Sequence, residues 1–223
     1  MGNFTAIIAC LFGSYLLGSL PFAVLIGKVW KGIDVRNHGS GNAGATNVFR
    51  VLGKPIGFTV ALADLGKGLA AGFAARFLLP ELFEISSPAV HDTAQIAALY
   101  GVIIGHVFPV FAGFRGGKGV AAGAGALFAL QPLVASVSLG VFILAVTAAG
   151  YVSLGSLTAA VIMPVTYIVS RSLDYYRFST VWFIALWITA GLIAVMHRKN
   201  ISRLIHGKEN RFRTLWYLLK KGS

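Results

Sequence analysis

Apolar runs of membrane-crossing length recur along the whole chain, and no soluble arrangement would bury them all. Segments 3–27, 56–79, 94–112, 119–131, 133–149, 155–170 and 181–196 are bounded by charged or Gly/Pro-containing stretches. A helix of roughly 20 such residues crosses the hydrocarbon core, and helices satisfy their own backbone where water is absent. Composition agrees, with 57% hydrophobic residues against 12% charged. The expected fold is an all-α integral membrane protein.

Charge placement decides how the spans are threaded. The segment 28–54 carries Lys28, Lys31, Arg36, Arg50 and Lys54, and the tail after Met196 carries Arg198, Lys199, Arg203, Lys208, Arg211, Arg213, Lys220 and Lys221. The loop from Glu81 to Asp92 has acids and no Lys or Arg. Basic segments stay cytoplasmic, so an outside amino terminus and a cytoplasmic carboxyl terminus require an odd number of crossings. Seven transmembrane helices meet that demand when 119–150 is split at Gln131-Pro132, since proline suits the first turn of a new helix. The cost is Arg171 and Arg177 on the outer side, tempered by Asp174. Residues 1–210 then form one polytopic domain followed by a basic tail, 211–223. The first run has no basic region before it and reads as a retained helix rather than a cleaved leader. With this threading, the polar segments 34–50, 113–119, 150–156 and 197–209 all face the cytoplasm and can share a site.

The net charge of +12 would suggest nucleic acid for a soluble domain. Here it borders membrane spans, where it fixes topology and attracts anionic headgroups or phosphorylated substrates, so membrane lipids are expected and nucleic acid is not. Cys10 is the single cysteine and offers neither a disulfide nor a thiolate metal site. Seven acids in the whole chain argue against a metal centre, and no cofactor is expected.

The polar segments carry the chemistry. In "NHGSGNAGATN", residues 37–47, the glycines 39, 41 and 44 allow close backbone approach to an anion. Ser40, Asn42, Thr46 and Asn47 add short hydrogen-bonding groups, and Arg50 follows with a fork suited to phosphate. Alone, the segment also reads as a flexible loop with a helix cap. "GHVFPVFAGFRGGKGVAAG" from Gly105 sets Arg115 and Lys118 around Gly116, Gly117 and Gly119 just before a helix, whose amino terminus favours phosphate. It lacks the Ser or Thr of a Walker A loop, and a simple membrane anchor needs no paired glycines. Phe108, Phe111 and Phe114 suit the bilayer interface, while His106 either orients a substrate or satisfies a helix carbonyl. In "MHRKNISRLIHGKEN", His197 and Asn200 share a helical face. Asp64 and Lys67, three residues apart inside an apolar run, can pair as a structural ion pair or serve the site. Ser153 and Ser156 also share a face. There is no His-x-x-x-x-Asp dyad, Gly-x-Ser-x-Gly elbow, zinc motif or Rossmann fingerprint.

Taken together, "GSGNAGATN", "GHVFPVFAGFRGGKGVA" and "HRKNISRLIHGKE", with "DLGKG" at 64–68 and "YVSLGS" at 151–156, resemble the PlsY family of bacterial membrane glycerol-3-phosphate acyltransferases. The resemblance covers about 13–209. It implies a seven-helix inner-membrane enzyme that transfers a fatty acyl group from acyl phosphate to the 1-hydroxyl of glycerol 3-phosphate, giving lysophosphatidic acid and inorganic phosphate. By position, it implies that Ser40, Arg50 and Lys118 hold the glycerol phosphate and that the 115–119 backbone receives the donor's phosphate. Asn42, Thr46, His197, Asn200 and Ser153 match further polar members of the site. Gly150 stands where many members carry arginine. On this reading the acceptor's own phosphate takes the proton from the attacking hydroxyl, with His197 as the rival base.

Overall fold

The computed structural model describes residues 2–173 and 178–212. Arg177, Asp174, Arg213, Lys220 and Lys221, and with them most of the 211–223 tail, lie outside the described residues. Every regular element among the described residues is helical. The chain divides into two compact units, Met1–Pro132 and Leu133–Ser223.

In the first unit, α1 (Gly2–Gly18) breaks at 19–21 and resumes as α2 (Phe22–Lys31). A 3-10 turn at Val35–Asn37 leads to α3 (Ala45–Leu52). Next comes α4 (Lys54–Phe73), extended by a π turn at Ala74–Leu78 and a short α turn at Leu79–Leu82. The unit continues with α5 (Pro88–Val107) and α6 (Val120–Leu130). The second unit contains α7 (Pro132–Ala149), α8 (Val152–Ser172), α9 (Thr180–Met196) and α10 (Arg198–Ile205). Proline opens α5 and α7, where its missing N–H costs no helical bond.

The expected count of seven spans is wrong. Among the described residues, helical stretches long and apolar enough to cross a membrane are five: Asn3–Lys31, Lys54–Leu82, Pro88–Ala112, Pro132–Ala149 and Val152–Ser172. Counting α9 with α10, which are bent by 66°, makes six. The helix break at Gln131 does occur, but α6 has only 11 residues, a length of about 16 Å against a hydrocarbon core of about 30 Å. Composition marked 119–131 as a span because every residue from Gly119 to Leu130 is apolar or small. Length is what disqualifies it. The parity argument for the sides of the termini falls with the seventh crossing.

Helices of the first unit approach until backbones touch. A Cβ on Gly68 or Gly125 would run into the carbonyl oxygen of Ala122 or Leu65, at the contact of α4 with α6. Gly101 and Gly105 on α5 abut the carbonyls of Leu11 and Tyr15 on α1 in the same way. Small residues at such contacts are the membrane solution to helix packing, since lipid tails supply no hydrophobic drive between helices. Large apolar side chains face outward instead: Leu62 is 65% and Leu144 68% exposed. Gly68→Ala is expected to lower the thermal unfolding midpoint in detergent, because the obstructing atom is backbone and cannot swing away; overpacking of this kind costs about 1–3 kcal/mol. Gly66→Ala, with open space at that position, should leave the midpoint unchanged or raise it, and equal behaviour of the two variants would contradict this packing.

Breaks inside the helical layer are satisfied by cations, buried Lys67 and half-buried Arg76. Lys67 Nζ donates to the Leu20 carbonyl at the α1–α2 break, at 2.9 Å. Arg76, from the π turn, donates through Nη1 to the Ala129 carbonyl at 2.6 Å, one of the groups left open at the end of α6.

Candidate active site

The 34–50 segment is shaped by its own side chains. Asp34 Oδ1 accepts the Arg36 amide at 3.0 Å and caps the 3-10 turn. Gly39 and Gly41 have φ of +61° and +71°, values that strain any residue with a Cβ, and they turn the chain so that Ser40 stands exposed. Asn47 lies behind, 2% exposed. Its Oδ1 accepts from the Ser40 amide and hydroxyl at 2.8 and 3.1 Å, and its Nδ2 donates to the Val35 and His38 carbonyls at 2.9 and 3.0 Å. Asn47 therefore spends its amide on the loop rather than presenting it to a ligand. Thr46 and Arg50, four residues apart on α3, share a helical face; Asn42 and Thr46 are half-buried and Arg50 is exposed.

The 113–119 segment folds back on the end of α5. Gly113 and Phe114 both adopt positive φ, +62° and +59°, and for Phe114 this conformation costs about 1–2 kcal/mol. The Phe114 amide donates to the Pro109 carbonyl at 2.9 Å. The reversal brings the Gly116 amide onto the Val107 carbonyl at 3.2 Å and the Gly117 amide onto the His106 carbonyl at 3.0 Å, which closes the open end of α5. These two amides shape the turn. In this turn Lys118 is half-buried and Arg115 exposed, and the leading amides of α6 that follow Gly119 have no intrahelical acceptor.

The His106 ring is buried beneath this turn, so close to Gly117 that a Cβ there would run into Nε2. On its other side, Nδ1 lies 3.4 Å from Asp64 Oδ1, and Lys67 Nζ lies 2.9 Å from the same oxygen. Both are charge-pair distances without aligned hydrogen bonds. A cavity of about 10 Å³, the size of a single water, is lined by Pro21, Ala43, Asp64, Lys67, His106 and Gly116. Asp64 and Lys67 thus form an ion pair that also touches a residue of the turn.

Of the four segments expected to share a site, 34–50 and 113–119 are joined. Arg36 Nη1 donates to the carbonyls of Ala112 and Arg115 at 2.6 and 3.4 Å, and the Ala43 amide donates to the Gly116 carbonyl at 3.4 Å.

In the second unit, the 150–156 and 197–209 segments converge on a residue that the sequence reading left without a role. Glu209, 8% exposed, accepts from Ser153 Oγ at 3.0 Å and Asn200 Nδ2 at 2.7 Å through Oε1, and from Arg203 Nε at 2.6 Å through Oε2. Burial pushes the Glu209 carboxyl up, but the bonds from Arg203, Asn200 and Ser153 outweigh it and hold the group below its ordinary value. The Phe212 amide closes on the Gly150 carbonyl at 2.7 Å. His197, 3% exposed, places Nδ1 2.8 Å from the Ile193 carbonyl. That contact requires Nδ1–H and leaves the lone pair on Nε2. A signal for Glu209 was present in the sequence, since it is the sole acid after Met196 in a strongly basic stretch. Ser156, by contrast, bonds back to the Val152 carbonyl of its own helix at 3.0 Å.

A family profile described as Glycerol-3-phosphate acyltransferase matches residues 8–207. The chain belongs to this family. The acyltransferase is similar to the glycerol-3-phosphate acyltransferase of Chlorobaculum tepidum, 42% identical over 95% of this chain and 97% of that one. That of Bacillus cereus is 41% identical over 88% and 90%. Its fold matches the crystal structure of the integral membrane glycerol 3-phosphate acyltransferase PlsY in its glycerol 3-phosphate form, with a TM-score of 0.78, 37% identity, and coverage of 98% and 99%. The lysophosphatidic acid form of that protein matches with a TM-score of 0.76 and 38% identity, over 96% of this chain and 99% of that one. The acyltransferase is a multi-pass protein of the inner membrane. It transfers an acyl group from acyl phosphate to glycerol 3-phosphate and produces lysophosphatidic acid.

Proposed function

We propose that the joined 34–50 and 113–119 segments are where the acyltransferase gathers its two phosphorylated reactants. Ser40, Arg50 and Lys118 hold the phosphate of glycerol 3-phosphate, flanked by Asn42 and Thr46, with Asn47 setting the loop. The turn of Gly116, Gly117 and Gly119 receives the donor's phosphate through Lys118, Arg115 and the first amides of α6, and His106 supports it from beneath. The observation that carries this reading is the direct bonding of the two segments through Arg36 and Ala43, which puts exposed Ser40 and half-buried Lys118 on neighbouring loops. The site faces the cytoplasm: Arg36, Arg50, Arg115 and Lys118 lie in its segments and Lys28, Lys31 and Lys54 flank the first of them, while 81–92 has no Lys or Arg.

Acyl phosphate is a mixed anhydride with a good leaving group, so the enzyme's task is to align two anions against their repulsion. The 1-hydroxyl attacks the acyl carbon, the bond from that carbon to the phosphate oxygen breaks, and inorganic phosphate leaves. The hydroxyl proton passes to the acceptor's own phosphate. Within the second unit, Glu209 orients Asn200 and Ser153 as polar groups for a ligand.

His197 as proton acceptor is a second reading, favoured by the buried ring being oriented through Nδ1 on the Ile193 carbonyl. In lipid, with acyl phosphate and glycerol 3-phosphate and no CoA, His197→Ala separates the two. Proton transfer to the acceptor phosphate predicts a loss of kcat under about 100-fold with the pH profile retained, since a general base supplies about 10²–10⁴. A larger loss at every pH, with binding of both substrates intact, would assign the base to His197.

A further inference from the structure

We propose that Arg36 is a positioning residue whose guanidinium, held by Asp34, fixes the Ser40 loop against the Lys118 turn and so sets the separation of acceptor from donor. The inference rests on the reading of those two segments as the phosphate sites.

Both edges of the guanidinium are occupied by protein atoms. On one edge, Nε lies 3.0 Å from Asp34 Oδ1 and 3.2 Å from Oδ2, and Nη2 lies 2.7 Å from Oδ2. A bidentate pair of this kind fixes the plane of the fork. Nη1 is then aimed across to the carbonyls of Ala112 and Arg115, the latter directly before Gly116. The hydrogen bond from Arg36 holds the Asp34 carboxyl down to about 2, and the same bond raises Arg36. A depressed carboxyl contributes its stabilisation above the ordinary carboxylate range and loses it only as pH falls toward 2, so the pair stays intact at any working pH.

At its near end, the clamp grips the same turn that carries Ser40, because the Val35 carbonyl is held by Asn47, which also holds Ser40. A second link between the loops, from the Ala43 amide to the Gly116 carbonyl, is long at 3.4 Å. Two phosphates brought together repel one another, and each would push its own loop away. A misplacement of about 1 Å at a reacting centre can cost about 100-fold in rate. Lysine cannot substitute, since a single ammonium cannot hold a carboxylate bidentately and reach two carbonyls on the far side.

The test uses the full-length protein in lipid nanodiscs, with Arg36→Ala and Arg36→Lys compared by steady-state kinetics on both substrates, calorimetric glycerol 3-phosphate binding, and thermal unfolding. The expected result is a fall in kcat of about 10- to 100-fold in both variants, with each KM and the acceptor Kd within about threefold of the original. Methylguanidinium should restore part of the kcat of Arg36→Ala and leave the unsubstituted enzyme unaffected. The proposal is overturned by an unchanged kcat, by a change confined to the KM for glycerol 3-phosphate, which would make Arg36 a substrate contact, or by a rate loss that matches the loss of calorimetrically competent sites. Ser40→Ala and Lys118→Ala are measured alongside. If those two turn over normally, the site reading fails and takes the proposal with it; if they are impaired while the Arg36 variants are not, the clamp alone fails.

Discussion

Lys118→Ala is expected to lower kcat/KM by about 10²–10³ in lipid-reconstituted enzyme, the range for removing one preorganised donor to developing charge, with the unfolding midpoint unchanged. Lys118 stands between Gly117 and Gly119, where the turn ends and α6 begins, and its charge adds to the positive end of that helix. As the acyl–phosphate bond breaks, charge accumulates on the departing phosphate, and an ammonium beside it stabilises that state more than the ground state. The lysine also offsets repulsion between the reactants, so both KM values should rise as well. Lys118→Arg keeps the charge but changes its shape and reach and should fall between the two. A Lys118→Ala enzyme within about threefold of the original, far short of a donor's usual worth, would show that the turn does not hold the donor's phosphate.

Glu209→Ala should be the most destabilising single change in the second unit. It removes the common acceptor of Ser153, Asn200 and Arg203; because the Arg203 side chain is 37% exposed, water takes over part of its loss, and the cost of losing the bonds from buried Ser153 and Asn200 is about 1–3 kcal/mol. Glu209→Gln retains one acceptor oxygen at similar volume and should lose less. The pH dependence has a definite sign. Because the folded carboxyl is depressed below its ordinary value, its contribution is fully present above about pH 4.3, the ordinary value for Glu, and is lost as pH falls through the folded one. The difference in unfolding midpoint between the original enzyme and Glu209→Gln should therefore be largest at neutral pH and shrink on acidification. A constant difference from neutral to acid pH would contradict this account of the network, as would a Glu209→Ala protein that melts with the original.

Much of this was legible in the amino-acid sequence, for physical reasons that differ by element. Long apolar runs announced the membrane helices because hydrocarbon admits little else. They misled at 119–131, where composition alone resembles a span while the 11 residues of α6 are too few to cross. The Gly-rich segments were readable as candidate anion sites from small residues beside cations, and 34–50 and 113–119 are bonded to one another. The bookkeeping of individual donors was not readable: Gly116 and Gly117 turn their amides to the end of α5, and Asn47 turns its side chain to Ser40. Those partners lie in other segments or behind a turn, so nothing in local spacing could assign them. Arg36 and Glu209 escaped for a related reason. Each looked like one more charge in a charged stretch, and what distinguishes them is a partner far along the chain, at Ala112 for Arg36 and at Ser153 for Glu209.

The most direct measurement is a structure of the acyltransferase in lipid with glycerol 3-phosphate and a non-reacting acyl phosphonate bound together. Both phosphorus groups should occupy one polar pocket, the acceptor's touching Ser40 and Arg50, the donor's at the Lys118 turn, with Arg36 still bridging to Ala112. Phosphorus groups in separate cavities, or a donor seated away from Lys118, would contradict the claim that these two loops bring the reactants together.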